Sequence, residues 1–131
     1  MSVDKLSLVV FSGDYARVHY ALTMAAAAVA TNKPVTLFFT MGAARALEGK
    51  DGWKALPGSS EDAERIAKGL AGFDEMLDAC VGLGVRFMVC EMGLKALGLD
   101  PAALRDDVPL TQGGIVTFLA DASKDGAMLF V

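Results

Sequence analysis

Two cysteines and one histidine are the side chains of this 131-residue chain best suited to nucleophilic or metal chemistry. Cys90 closes the apolar run Val85-Arg86-Phe87-Met88-Val89-Cys90 and opens a helix-like stretch, Glu91 to Gly98. A thiol at the carboxyl end of a buried strand and the amino end of a helix meets unpaired N–H groups and the positive end of a helix dipole. Both favour a thiolate. In open α/β sheets the ligand crevice lies at that same edge. The neighbouring Glu91 opposes the anion, and a free cysteine also serves as a small buried hydrophobe. Position alone therefore leaves a reactive and an inert reading of Cys90 side by side. Cys80 falls on the apolar stripe Phe73, Met76, Leu77, Cys80, at i, i+3, i+4, i+7, and reads as inert core. The ten-residue spacing of the two thiols matches no metal pattern. No metal or other cofactor is expected. His19 could reach the crevice and tune a thiol, although a lone helical histidine more often packs or is solvated.

The elements that must position these residues alternate. Leu6 to Phe11 reads as a buried strand and Tyr15 to Thr31 as a helix capped by Asp14. Val35 to Thr40 is the next strand, followed by a short helix, Met41 to Glu48. Gly49 to Ser60, with its glycines, Pro57 and mixed charge, reads as an exposed excursion. Ser60 then caps a helix with Glu61 and Glu64 in its first turn. Phe73 to Leu83 is the amphipathic helix that carries Cys80, stopped by Gly82 and Gly84. Val85 to Cys90 is the third strand. Asp100-Pro101 starts a further helical turn. A short strand, Val108 to Leu110, surrounds Pro109; a helix covers Ile115 to Ala122; Ala127 to Val131 is a final strand. This order predicts a single domain over residues 1–131. Its fold is a three-layer α/β/α sandwich with a five-stranded, mostly parallel sheet covered on both faces.

Three loops in this scheme follow a strand and precede a helix: Gly13-Asp14, Thr40-Met41-Gly42 and Gln112-Gly113-Gly114. With Glu91 and Met92 they are candidates for the walls of one pocket around Cys90. Such turns offer backbone N–H groups to an anion, but none matches a dinucleotide fingerprint or a phosphate-binding loop.

The composition is 53% hydrophobic, with a mean hydropathy of +0.42. It excludes disorder and implies apolar surface left for subunit contacts. A net charge of -4 argues against a nucleic-acid partner, which requires a basic footprint. The longest uncharged stretch, Val18 to Asn32, has 15 residues, short of the ~20 a membrane span needs. Two cysteines make no disulfide framework and no leader is visible, so a cytoplasmic location is expected.

Three passages of the chain resemble the DsrE/DsrF-like sulfur-relay family, in particular its DsrE2-like branch. They are Ser12-Gly13-Asp14, then Val35 to Gly42 continuing through Ala46-Leu47, and finally Leu83 to Met92 with Leu97-Gly98-Leu99 and Gly113-Gly114-Ile115-Val116-Thr117-Phe118-Leu119. The segment 49–71 departs from the methionine-rich middle of that branch in being shorter and more polar. The resemblance implies a compact oligomeric α/β/α fold and an active cysteine at Cys90. That cysteine would carry sulfane sulfur as a persulfide and pass it from a donor protein to an acceptor protein thiol. The alternative is a small-ligand or regulatory binding module in which Cys90 is passive.

Overall fold

The computed structural model describes residues 5–122 and 126–131. Residues 1–4 and 123–125 lie outside them. Five strands form one sheet: β1 (Lys5–Val10), β2 (Val35–Phe39), β3 (Arg86–Cys90), β4 (Leu110–Gly113) and β5 (Gly126–Phe130). Their order is β4-β3-β2-β1-β5, and all four pairings are parallel. The helices are α1 (Tyr15–Ala30), α2 (Glu61–Ala67), α3 (Phe73–Gly82), α4 (Glu91–Leu97) and α5 (Ile115–Ala122), with 3₁₀ turns at Met41–Leu47, Gly52–Ala55 and Pro101–Ala103. The three-layer α/β/α sandwich follows from the apolar runs of β1, β2 and β3, which bury both faces of each strand.

The two faces are unequally clad. Leu8, Val10, Leu37, Phe39, Phe87 and Val89 point to one face and join Leu22 of α1, Leu77 of α3 and Leu94 of α4 in the main core. The alternate residues Val9, Phe38, Met88 and Cys90 point the other way and meet Phe118 and Ala122 of α5 in a small second core. Phe38 stacks on Phe118 with ring centroids 4.6 Å apart. That eight-residue helix is the only one represented in this second core among the described residues.

Three local expectations change. Residues 49–60 are not a loose excursion: Trp53 is 6% exposed and Leu56 is buried with it in the main core. The cause is aromatic. Trp53 stacks on Phe73 at 5.2 Å and lies 6.0 Å from Tyr15, and burying such a side chain is worth roughly 1.5–3 kcal/mol. The fourth strand begins at Leu110 rather than surrounding Pro109, because proline has no N–H for a ladder. Gln112 and Gly113 therefore belong to β4, paired with Val89 and Cys90, and only Gly114 is left as loop. Asp14 and Ser60 occupy helix N-caps without making side-chain cap bonds. The Asp14 N–H instead binds Ser12 Oγ at 3.1 Å.

Backbones approach closely where the strands end. A Cβ on Gly42 would lie 3.1 Å from the Gly13 backbone, and one on Gly93 would lie 2.6 Å from Met41 N. Alanine at Gly93 should gain up to ~1 kcal/mol in helix propensity. It would lose more, about 1–3 kcal/mol, because the obstacle is backbone and must shift. Gly93→Ala should therefore lower the denaturant midpoint at unchanged slope; equal or greater stability would refute this close approach.

Candidate functional site

Cys90 ends β3 and is the N-cap of α4, with extended backbone angles (φ -79°, ψ 121°). Its side chain makes no cap hydrogen bond with the α4 first turn. By alternation along β3 it points instead to the thinly clad face. Two clefts meet at it. One, of about 400 Å³, is lined by Glu91, Met92, Lys95, Gly114, Ile115 and Val116 as well as Cys90. The other, of about 340 Å³, is walled by Val9, Phe11, Phe38, Thr40, Met41, Met92, Ile115 and Phe130. Cys90 is 2% exposed and forms the floor shared by the two openings. The first cleft carries an anion and a cation at its rim, whereas the second carries no charged side chain.

The expected pocket residues divide by face. Thr40, Met41, Glu91, Met92 and Gly114 do gather round Cys90. Gly113 meets it through the ladder. Gln112 turns aside into a smaller hollow with Leu94, Leu99 and Pro101. Gly13 and Gly42 pack backbone to backbone and act as spacers. Asp14 and His19 are not at this site. Tyr15 and Val18, which flank them at the start of α1, belong to the main core across the sheet. There the His19 Nε2 lies 3.0 Å from the Ala71 carbonyl, and the ring contacts Tyr15.

That opposite corner is a packing device. The Tyr15 hydroxyl donates to Asp62 Oδ1 at 2.5 Å, and the Phe73 N–H donates to the same oxygen at 2.6 Å. One buried carboxylate so ties α2 to the starts of α1 and α3. Burial first, and then the Asp62 carboxylate, pushes the Tyr15 phenol well above its ordinary range. Arg65 lies over the Tyr15 ring, 5.1 Å from its centroid.

Cys80 is wholly buried and donates to the Leu22 carbonyl at 3.2 Å. Burial pushes its thiol up to about 11. The residues missed from sequence are Val9, Phe11, Phe38, Ile115 and Phe130, which build the apolar cleft. Period-two alternation along the first two strands was the available signal, since it sets Val9 and Phe38 on the face of Cys90.

Comparison with known proteins places this geometry among relatives. The model of the DsrE/DsrF-like family matches residues 4–128. The uncharacterized protein YrkE of Bacillus subtilis (strain 168) is 25% identical over 156 aligned residues, covering 97% of this chain and 96% of that protein. The solved structure of MTH1491, a protein of unknown function from Methanobacterium thermoautotrophicum, matches with a TM-score of 0.64 at 16% identity. It covers 98% of this chain and 99% of that one. At that identity the likeness is one of fold.

The two thiols should behave differently. In the native protein an alkylating probe should label Cys90 and leave Cys80 intact at pH 8; equal labelling, or labelling of Cys80 alone, would overturn the contrast. Because the folded state raises the Cys80 thiol from 9.0 to about 11, its contribution to stability is complete below about pH 9. It is lost as pH rises toward about 11. A Cys80→Ala variant should show a shallower loss of stability over that window than the parent.

Proposed function

Because the chain belongs to the DsrE/DsrF-like family, which is associated with sulfur relay, we propose that Cys90 accepts a sulfane sulfur as a persulfide and hands it to a partner thiol. The observation that carries this reading is the position of Cys90 at the meeting point of two clefts on the C-terminal edge of the sheet. In loading, the Cys90 thiolate attacks the outer sulfur of a donor persulfide, R–S–SH. The donor S–S bond breaks, its electron pair leaves with R–S⁻, and a new S–S bond forms at Sγ. Unloading is the same exchange with an acceptor thiolate attacking the outer sulfur. No oxidant or reductant is consumed in either direction. The donor and acceptor are proteins, since a carrier needs both.

Self-association belongs to the same proposal. Phe11, Met92, Val116, Leu119, Met128 and Phe130 are all exposed on or beside the thinly clad face, a concentration of apolar surface that monomers avoid. A closed homo-oligomer would cover part of it. Light scattering at micromolar concentration should show a mass above 13.7 kDa; a monomer alone would count against the oligomer.

The binding-module reading keeps one observation in its favour, the 2% exposure of Cys90. Intact mass after incubation with a sulfane-sulfur donor separates the two. The parent protein should gain one sulfur, Cys80→Ser should gain it as well, and Cys90→Ala should gain none. Alanine is the better control at this buried place, because serine would set a hydroxyl in the cleft. If the parent gains no sulfur from any donor, the passive module is the correct reading. If Cys90→Ala still gains it, the site is wrong.

A further inference from the structure

The fold leaves the Thr40 hydroxyl without a partner. Thr40 is 7% exposed. Its backbone is fully engaged: the N–H donates to the Val10 carbonyl at 3.0 Å, and its own carbonyl accepts from the Ala43 N–H at 3.2 Å. Its side chain makes no cap bond with the turn it precedes, and none with any other group among the described residues. The backbone at Thr40 is extended (φ -141°, ψ 161°). Alternation along the strand therefore sends its side chain to the face of Phe38 and Cys90. The register sets Phe39 beside Val89, which brings Thr40 beside Cys90 one step further on. Both line the same cleft, whose other walls are valine, phenylalanine, methionine and isoleucine side chains.

The hydroxyl cannot readily swing away. Met41, next in the chain, holds a φ of +49°, uncommon for a residue with a side chain. The Met41 N and the Thr40 Oγ1 lie 2.6 and 3.0 Å from the position a Gly93 Cβ would take. The start of α4 thus clamps the end of β2. The Thr40 Oγ1 is not one of the buried side-chain atoms left unpaired, so it is open to the cleft. There it is the one side-chain O–H among the lining residues and stands free to donate to a group that enters.

We propose that Thr40 is the hydrogen-bond donor to the outer sulfur of a Cys90 persulfide, holding the carried sulfur as an anion inside the apolar cleft. This rests on the persulfide reading of Cys90. When the donor S–S bond breaks and its electron pair leaves with the donor thiolate, Sγ gains one sulfur. That sulfur sits about 2.05 Å beyond Sγ. Its proton passes to water, leaving Cys90–S–S⁻. The walls of this cleft offer no cation and no other side-chain O–H or N–H, so within it this hydroxyl meets the charge, while Lys95 stands at the rim of the other cleft. Phe11 and Phe130, with ring centroids 5.3 Å apart, stand over the opening and limit water around it.

Thr40→Val removes the hydroxyl and keeps the shape; Thr40→Ser keeps the hydroxyl. The parent and both variants are incubated with inorganic polysulfide, and one added sulfur is confirmed by intact mass. The near-ultraviolet absorbance of the persulfide anion is then followed against pH, with thermal unfolding measured alongside. The Thr40→Val persulfide should titrate about one pH unit higher than the parent, a tenfold weaker hold on the anion, while Thr40→Ser titrates as the parent does. Thr40→Ala gives the same reading should the valine variant fail to fold. Sulfur that adds in all variants and titrates alike overturns the role of Thr40 alone. A parent protein that never gains sulfur overturns the persulfide reading and this proposal with it.

Discussion

Side chains alternate along a strand, and in β3 that alternation divides the molecule. Phe87 and Val89 go to the main core with α1, α3 and α4; Met88 and Cys90 go to the face that α5 covers. A slip of one residue would bury Cys90 under the thick layer and turn Val89 toward the clefts. Parallel pairing on both sides holds the register, with Phe38 beside Met88 and Cys90 beside Gly113. The lack of a side chain on Gly113 matters here: the Met88 methyl already lies 3.1 Å from where its Cβ would stand.

Much of this was legible in the chain. The continuous apolar runs specified β1, β2 and β3 and hence a parallel sheet. The i, i+3, i+4, i+7 stripe placed Cys80 in the core. Those signals are local, and they succeed where one element carries its own pattern. What failed depended on partners distant in sequence. Nothing near Trp53 announces that Phe73 will stack on it, so glycines and Pro57 made the segment look exposed. Nothing within α1 says that residue 19 faces away from residue 90, because that depends on which side of the sheet the helix returns. The strand β4 was displaced because the two apolar residues Val108 and Leu110 outweighed the missing N–H of Pro109 between them, and the ladder decided otherwise.

The two faces carry different demands. On the thick face several polar groups bind one another: Tyr15 and the Phe73 N–H on Asp62, His19 on Ala71, the Cys80 thiol on Leu22, while Trp53 Nε1 and Arg65 Nη1 are buried without a partner. These bonds tie the starts of α1 and α3 to α2 and fix the corner as scaffold. On the thin face the polar groups that point inward, Cys90 and Thr40, have no side-chain partners among the described residues. What separates the site from its scaffold is access: the two clefts that meet at Cys90 open on the thin face, whereas the Asp62 corner is packed against the main core.

Thin cladding follows from the same division. An apolar environment disfavours a sulfur anion unless a donor compensates it, so a cleft able to store one must be dry yet hold a hydroxyl in the right place. Dryness requires walls, and α5 with its eight residues supplies only part of them. Phe11, Phe130 and Met92 supply the remainder while staying exposed on their outer sides. A surface of that kind is half of an enclosure. A body seated on it would bury the outer sides of these residues and complete the exclusion of water from the cleft. Exposure of the apolar rim and burial of the thiol are then two aspects of one arrangement: the thiol is shielded from solvent, and what the rim recognises decides what reaches it.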